Sequence, residues 1–226
     1  MAIYVIKEER GNRRTLAAIN HINRTTTTTP YLYVVPTDDD ADRICDACKR
    51  KRFKYPEVEE DRWSAFKEMI EKQKNIVITE DMFHELDRRI LKTLQDKEYT
   101  LFLDGVTLIK APFNLTRPDI DILKTYFVSV GDDGCLVWTD REYRGVFERD
   151  KRVIDNGLVY AEPDGTWVYD TPQELFHSFK DIFVLTSILR RIRLEQHLTS
   201  LGIECTHMCI SGAAPRTFRF SELPAV

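Results

Sequence analysis

The chain has 226 residues, a formal net charge of −4 at pH 7, 42% apolar residues and 31% charged residues. This length and composition are typical of one folded domain, or of one domain with a sizeable insertion, and they exclude a disordered or fibrous protein. The negative net charge also excludes a uniformly basic nucleic-acid coat, although it leaves room for a local phosphate-binding groove.

Neither a membrane span nor a secretory signal is found in the sequence. No stretch approaches the run of about 18 apolar residues that a membrane-spanning helix requires. At the N-terminus a short apolar run precedes a group of charged residues, which is the reverse of the order in a signal peptide. We therefore expect a cytoplasmic protein without a membrane partner.

Predicted strands and helices alternate through the first half of the chain. Strands are predicted at 2–7, 31–36, 75–79 and 99–106, and helices at 14–24, 38–50, 63–73 and 81–95. Leu16, Ile19 and Ile22 have the spacing of one buried face of the first helix. Asp38–Asp40 are predicted to supply the N-cap and the first-turn acids of the second helix. This alternation predicts an α/β fold with a mainly parallel sheet and helices on both faces.

The pattern changes between residues 113 and 170. A helix is predicted at 118–129, and two apolar runs flank Pro163–Gly165 in the pattern of a β-hairpin. After residue 172 a helix, a strand, a helix and a strand resume the alternation. We predict a single domain over residues 1–226, with 113–170 as a small inserted α/β-hairpin subdomain.

The chain contains five cysteines, and their grouping invites comparison with a zinc site. Cys45 and Cys48 are followed much later by Cys205, His207 and Cys209, and zinc requires four thiolate or imidazole ligands. However, the first pair has the spacing of one helix face, and the last three residues alternate as one face of a strand. We predict reduced, packed side chains and no metal site.

The segment 8–15 has the position of a phosphate-binding loop, between a strand and a helix. Such a loop reads G-x-x-x-x-G-K-[ST], so that bare backbone wraps the phosphates and the hydroxyl holds Mg²⁺. Thr15 supplies the hydroxyl and Arg14 replaces the lysine, but Glu8 and Arg13 occupy the two glycine positions. A carboxylate and a bulky guanidinium in these places disfavour phosphate binding, and arginine is a poor substitute for the compact lysine ammonium.

The second element of ATP hydrolysis is an acidic pair at the end of a strand. An aspartate there holds Mg²⁺, and the following glutamate orients the attacking water. Asp104 ends the predicted strand at 99–106, but Gly105 stands where the glutamate is needed. Taken alone, Asp104 and Gly105 favour a simpler interpretation, a turn that ends the strand.

Taken in order, five segments resemble the successive motifs of bacteriophage superfamily-2 DNA helicases. They are the loop and helix ending AINHIN, then TPYLYVVPTDDDADRIC, NIVITEDMF, YTLFLDGV and LFHSFKDIFVLTSIL. The resemblance covers nearly the whole chain and implies the first RecA-like lobe of a P-loop NTPase-like motor. It further implies that a second lobe, absent from these 226 residues, would be needed for translocation.

The resemblance also implies roles for individual residues. Thr15 and Asp104 match the Mg²⁺ ligands, Arg14 matches the phosphate-binding lysine, and Thr186 matches the residue that couples hydrolysis to motion. The implied vestigial nucleotide site consists of Gly11, Arg13, Arg14 and Thr15. The implied nucleic-acid contacts are Thr37 and Thr79. A basic run that follows the second helix adds four candidate contacts to nucleic acid: Lys49, Arg50, Lys51 and Arg52.

Two functional hypotheses follow. The first is a phage-encoded, catalytically degenerate helicase-like domain in the cytoplasm of the bacterial host. It would have no catalytic residue and no cofactor, because Arg14 and Gly105 replace the residues that perform the chemistry, and it would bind a protein or single-stranded or duplex DNA. The alternative is an ATP-dependent DNA helicase or ATPase subunit that binds ATP and Mg²⁺ in a site completed by a partner.

Overall fold

The structure is a computed structural model, and its described residues fall into two compact units. The described residues are 2–6, 13–56, 62–106, 111–113, 115–170, 173–185, 194–199, 202–209 and 216–218. Unit 1 comprises Met1–Phe83, Arg89–Val106 and Gln173–Val226. Unit 2 comprises His84–Arg88 and Thr107–Pro172, and therefore contains all of the segment 113–170.

The elements alternate along unit 1, and short strands predominate in unit 2. The strands are β1 (Ala2–Ile6), β2 (Tyr31–Val35), β3 (Ile76–Thr79), β4 (Thr100–Asp104), β5 (Ala111–Pro112), β6 (Val128–Val130), β7 (Leu136–Trp138), β8 (Val159–Ala161), β9 (Trp167–Tyr169), β10 (Asp181–Leu185), β11 (Cys205–Cys209) and β12 (Arg216–Phe218). The helices are α1 (Arg13–Arg24), α2 (Asp38–Ala47), α3 (Arg62–Glu71), α4 (Glu80–His84), α5 (Arg88–Asp96), α6 (Arg117–Tyr126), α7 (Glu148–Asp155), α8 (Gln173–His177) and α9 (194–199).

The strands of unit 1 form one seven-stranded sheet in the order β12-β11-β1-β10-β4-β2-β3. The six strands from β11 to β3 are parallel, and β12 is antiparallel to β11. The prediction of a mainly parallel α/β sheet flanked by helices is thus confirmed, and the architecture is of the Rossmann or RecA-like type. Since parallel strands end at the same edge, residues that follow β2 and β4 lie near each other.

A row of aromatic rings crosses the centre of this sheet. Tyr4, Phe183, Phe102 and Tyr33 occupy paired positions on β1, β10, β4 and β2. Successive ring centroids lie 4.9, 4.6 and 5.6 Å apart, in stacked geometry. These rings belong to the hydrophobic core of unit 1, which α1 and α2 cover with buried side chains such as Ile22.

The first helix packs differently from its sequence pattern. Leu16 is 56% exposed, whereas Ala17, Ala18 and Ile22 are buried. Ala18 and Ile22 pack in the same core cluster as the aromatic rings, so the helix turns its alanines toward the sheet. Small side chains allow a close approach of helix and sheet, which the spacing of the larger residues did not reveal.

Two further boundaries differ from the prediction. Thr37, not an aspartate, caps α2, because its Oγ1 accepts a hydrogen bond from the Asp40 backbone N–H, and the helix ends at Ala47. The single helix predicted at 81–95 is divided into α4 and α5. No helix in the described part of the chain is long and apolar enough to cross a membrane.

Unit 2 has its own core of aromatic and aliphatic residues. Its strands form the small antiparallel sheets β5-β9-β8 and β6-β7. The predicted hairpin at Pro163–Gly165 is confirmed, since β8 and β9 pair across it. Gly165 has φ +84°, in the left-handed region that favours glycine. The core of the unit includes the buried Leu136, Trp138 and Trp167.

Candidate functional site

Three residues that are distant in sequence meet at the carboxyl edge of the sheet in unit 1. Asp104 is the last residue of β4, and its Oδ2 accepts a hydrogen bond from Thr15 Oγ1 at 2.6 Å. The same oxygen accepts a hydrogen bond from the Tyr33 hydroxyl at 3.0 Å. Thr15 lies in the first turn of α1 and Tyr33 in the middle of β2. The strand order therefore assembles a carboxylate with two hydroxyl donors.

Burial and the neighbouring hydrogen-bond donors shift the pKa of this carboxylate in opposite directions. Burial, the largest influence, raises the pKa of Asp104 above its usual value, and the negative charge of Asp40 adds to the increase. The hydrogen bonds from Thr15 and Tyr33 and the positive charge of Arg14 lower the same pKa without cancelling the effect of burial. The pKa of Tyr33 is raised well above its usual value, first by burial and then by the charge of Asp104, so this hydroxyl remains a donor.

A shallow cleft opens beside Asp104. Its volume is about 160 Å³, and it is lined by Thr15, Val35, Pro36, Asp40, Arg43, Ile44, Asp104 and Gly105. Pockets for organic ligands usually enclose about 300 to 1,000 Å³. The cleft formed by the described residues is therefore smaller than a nucleotide site.

A second acid in the cleft already has partners. Asp40 Oδ1 accepts a hydrogen bond from the Arg43 guanidinium at 2.8 Å. Asp40 Oδ2 accepts one from the Thr37 hydroxyl, also at 2.8 Å. Asp40 thus ties the start of α2 together, and its negative charge is balanced by Arg43.

Gly105, which follows Asp104, has a backbone conformation that disfavours any side chain. Its φ is +75°, and its backbone N–H donates to the Leu185 carbonyl at 3.1 Å. A Cβ at this position would lie 3.3 Å from Pro36 Cγ, tighter than most real contacts. A glutamate in this conformation would be strained.

The residues predicted for the nucleotide site are only partly described. Arg14 lies in the first turn of α1, close enough for its charge to lower the pKa of Asp104. Arg13 begins the same helix, but its side chain lies outside the described residues, as do Gly11, Glu8 and Thr186. Thr15 and Asp104, the two residues predicted to hold Mg²⁺, are brought into contact, and hydroxyl and carboxylate oxygens are suitable ligands for that ion. When bound, Mg²⁺ would neutralise phosphate charge beside this pair.

The six residues predicted to contact nucleic acid lie at two opposite edges of the sheet. Thr79 ends β3 and is only 7% exposed, and Thr37 follows β2 and uses its hydroxyl to cap α2. The basic run 49–52 follows α2 at the other edge, where the Lys51 ammonium lies 5.4 Å from the ring of Tyr31, the first residue of β2. These residues therefore do not form one surface.

Cys48 and His207 are buried, whereas the other described cysteine and histidine side chains are partly or fully exposed. Burial raises the pKa of the Cys48 thiol to about 12 and also raises that of Cys205. His207 is buried, with Nε2 3.4 Å from Glu195 Oε1, and the Cys209 side chain lies outside the described residues. Within the part of the chain that the structure describes, no group of three His, Cys, Asp or Glu side chains could hold a metal ion.

Tyr33 is the member of the site that sequence reasoning missed. Its hydroxyl is a polar group within the run Tyr31–Val35, which is buried throughout. A buried tyrosine hydroxyl generally needs a hydrogen-bond partner, and this was the available signal. The partner could not be identified from sequence, because the adjacency of β2 and β4 is a property of the sheet order.

Comparison with known proteins gives a distant similarity. The chain is 21% identical, over 215 residues, to the SPbeta prophage-derived uncharacterized protein YonV of Bacillus subtilis (strain 168). The alignment covers 89% of this chain and 52% of that protein, so the chain spans about half the length of this relative. No protein-family model matches the chain.

Proposed function

We propose that this chain is a catalytically degenerate, helicase-like domain that binds a protein or nucleic acid and does not hydrolyse ATP. The observation that carries the proposal is the geometry after Asp104. Gly105, at the position of the water-orienting glutamate, has φ +75° and its Cβ position faces Pro36 at 3.3 Å. A domain without that carboxylate loses an interaction that typically contributes orders of magnitude to phosphoryl transfer.

Two other features support the absence of ATP hydrolysis. The part of the cleft that the described residues form, about 160 Å³, is smaller than the usual pockets for organic ligands. Asp40, the other carboxylate of the cleft, is engaged by Arg43 and Thr37 and so is not oriented as a catalytic base.

The similarity to a prophage-derived protein supports a phage origin for the chain. On this proposal the domain acts in the cytoplasm of the bacterial host, where phage nucleic acids and their protein complexes are its candidate partners.

Phosphate release from Mg·ATP, with and without single-stranded DNA, tests the proposal. We expect turnover at least about a hundredfold below 1 s⁻¹, the low end of typical enzyme rates. A faster rate in either condition would contradict it. The Gly105→Glu variant serves as a second measurement and is expected to stay inactive, because the new carboxylate would begin in a strained conformation against Pro36.

The second candidate function is an ATPase whose site a partner completes. The contact of 2.6 Å between Thr15 Oγ1 and Asp104 Oδ2 favours it, because these groups are the two protein ligands of Mg²⁺ in P-loop NTPases. A ligand that binds only the folded state raises the unfolding temperature. An increase with millimolar Mg·ATP that disappears in Thr15→Val would support this candidate, and an unchanged unfolding temperature would contradict nucleotide binding by the chain alone.

A further inference from the structure

A cluster of exposed cations lies at the amino edge of the sheet, opposite Asp104. Arg24 ends α1, and Lys49, Arg50 and Arg52 follow α2; all four side chains are exposed. The two segments are joined side by side, since Asn23 Nδ2 donates to the Ala47 carbonyl at 3.0 Å. We refer to Arg24, Lys49, Arg50 and Arg52 as the basic edge.

The loop that carries the basic edge is fixed by hydrogen bonds. The Lys51 ammonium donates to the Thr27 carbonyl at 2.8 Å and therefore anchors the loop to the segment that follows α1. The Asn75 side chain donates to the Lys51 carbonyl at 2.6 Å, and the backbone N–H of Arg52 donates to the Cys48 carbonyl at 3.2 Å. Ordering this loop before binding lowers the entropic cost of association.

Arg52 itself is held in an unusual conformation. Its φ is +51°, a left-handed value that non-glycine residues adopt only when surrounding bonds impose it. The side chains of Arg52 and of the neighbouring Lys49 and Arg50 are exposed. The four cations form no ion pair with any carboxylate of the described residues, in a chain whose net charge is −4.

The chemistry around the basic edge fits phosphate groups. Thr26 and Thr28 flank the residue that anchors Lys51, and both side chains are exposed. Guanidinium, ammonium and hydroxyl donors make most protein contacts to the nucleic-acid backbone. The apolar residues of the loop, Cys48 and Phe53, are buried. The edge thus offers no apolar anchor for a membrane or for a protein hot spot.

Aromatic side chains distinguish single-stranded from duplex binding. Proteins that hold single strands stack bases on exposed aromatic rings. Tyr31 and Phe53, the aromatic residues beside the basic edge, are only 3% and 4% exposed. We propose that the basic edge binds the phosphate backbone of duplex nucleic acid, without reading its sequence. This proposal rests on the binding role proposed above and names its partner.

The test is binding of a fluorescent duplex, and of one of its strands, across a salt series. Each phosphate contact contributes about −0.9 to the slope of log K against log salt, so four contacts predict about −3.6. The triple variant Lys49→Gln, Arg50→Gln, Arg52→Asn is expected to retain a slope of about −0.9, with at least tenfold weaker binding at low salt. Asparagine is chosen at 52 because it tolerates positive φ.

A matched control removes three cations elsewhere. Arg117, Arg141 and Arg144 are exposed residues of unit 2, and changing all three to Gln alters the net charge equally. This control is expected to bind duplex as the parent does, and all three proteins are expected to unfold at similar temperatures.

Several results would overturn the inference. They are equal slopes for the parent and the triple variant, tighter binding of the single strand than of the duplex, or binding of phosphatidylserine vesicles without binding of duplex. ATP turnover is measured on the same samples, so the two proposals fail separately. ATP turnover would contradict the proposal that the chain does not hydrolyse ATP, without bearing on duplex binding. Failure to bind duplex would contradict the role of the basic edge, without bearing on hydrolysis.

Discussion

At the scale of single residues, Asp104 is where the fold and the candidate chemistry meet. Its carboxylate receives two hydroxyl donors, yet burial still raises its pKa. The folded state therefore disfavours the ionised form relative to the unfolded chain, whose aspartates titrate near about 3.9. Ionisation of Asp104 at neutral pH therefore destabilises the folded state.

The pH dependence of stability tests this assignment. Because the pKa of Asp104 is raised in the folded state, ionisation of its carboxyl group destabilises the fold. This destabilisation is absent below the unfolded pKa and develops as pH increases through the folded pKa. Asp104→Asn is therefore expected to gain stability relative to the parent between pH 3 and pH 7, as measured by urea unfolding. Asp164→Asn provides a control of opposite sign, because a hydrogen bond from Thr166 lowers the pKa of Asp164. A pH-independent difference for Asp104→Asn would contradict the expectation.

Gly105 gives a second prediction at this scale. Gly105→Ala is expected to destabilise the fold by about 1 to 2 kcal/mol, because the left-handed conformation disfavours a Cβ. Gly157 is a matched control, since its φ is +71° but a Cβ there would meet nothing within 4 Å. Chemical denaturation should show Gly105→Ala to be at least as destabilising as Gly157→Ala, the excess arising from Pro36. A larger loss for Gly157→Ala would be inconsistent with crowding at Pro36.

At the scale of elements, the aromatic row unites four strands of the sheet. Phe102 lies at its middle, with Phe183 4.6 Å and Tyr33 5.6 Å away. Phe102→Ala is expected to cost about 3 to 5 kcal/mol, since it opens a cavity in the core. Leu16→Ala, on the exposed face of α1, should change stability by less than about 0.5 kcal/mol. Thermal or urea unfolding distinguishes them, and similar losses would contradict the orientation of α1.

The helices and strands also show which features of the fold could be predicted from the sequence. Periodicity and turn residues predicted most strands of the sheet, because β2, β3 and β4 are short, apolar and enclosed by breakers. The same reasoning wrongly placed Leu16 on the buried face of α1, where Ile22 does lie, and overlooked Tyr33. Both errors concern contacts between elements, and such contacts depend on the strand order, which local pattern does not encode.

The sequence likewise predicted some features of the candidate residues and missed others. The helicase resemblance pairs Thr15 with Asp104, and the two side chains are in contact at 2.6 Å. Lys51, in contrast, was grouped with its basic neighbours, although its ammonium faces the Thr27 carbonyl. A charge run in a sequence does not distinguish an anchor from an exposed cation, because the difference arises from the folded loop.

At the scale of the whole molecule, each of the two units has a core of its own. Leu136 is 1% exposed in the core of unit 2, so Leu136→Ala should destabilise that unit by about 2 to 5 kcal/mol. Native-state hydrogen exchange is expected to show faster exchange in β6 to β9, while the amides of β4 and β10 keep their protection. Equal acceleration in both sets would mean that the units open as one.

The sheet order has a consequence for how the chain is made on the ribosome. β2, β3 and β4 can pair as soon as residue 104 has emerged, but β1 pairs with β10 and β11, through matches such as Ala2 with Asp181 and Ile3 with Cys205. β1 is synthesised before the other strands of this sheet and is therefore among the last of them to find its neighbours, and pairing over such distances is slow. Until then its apolar edges are open to other nascent chains. A polypeptide halted before residue 181 should accumulate as insoluble material.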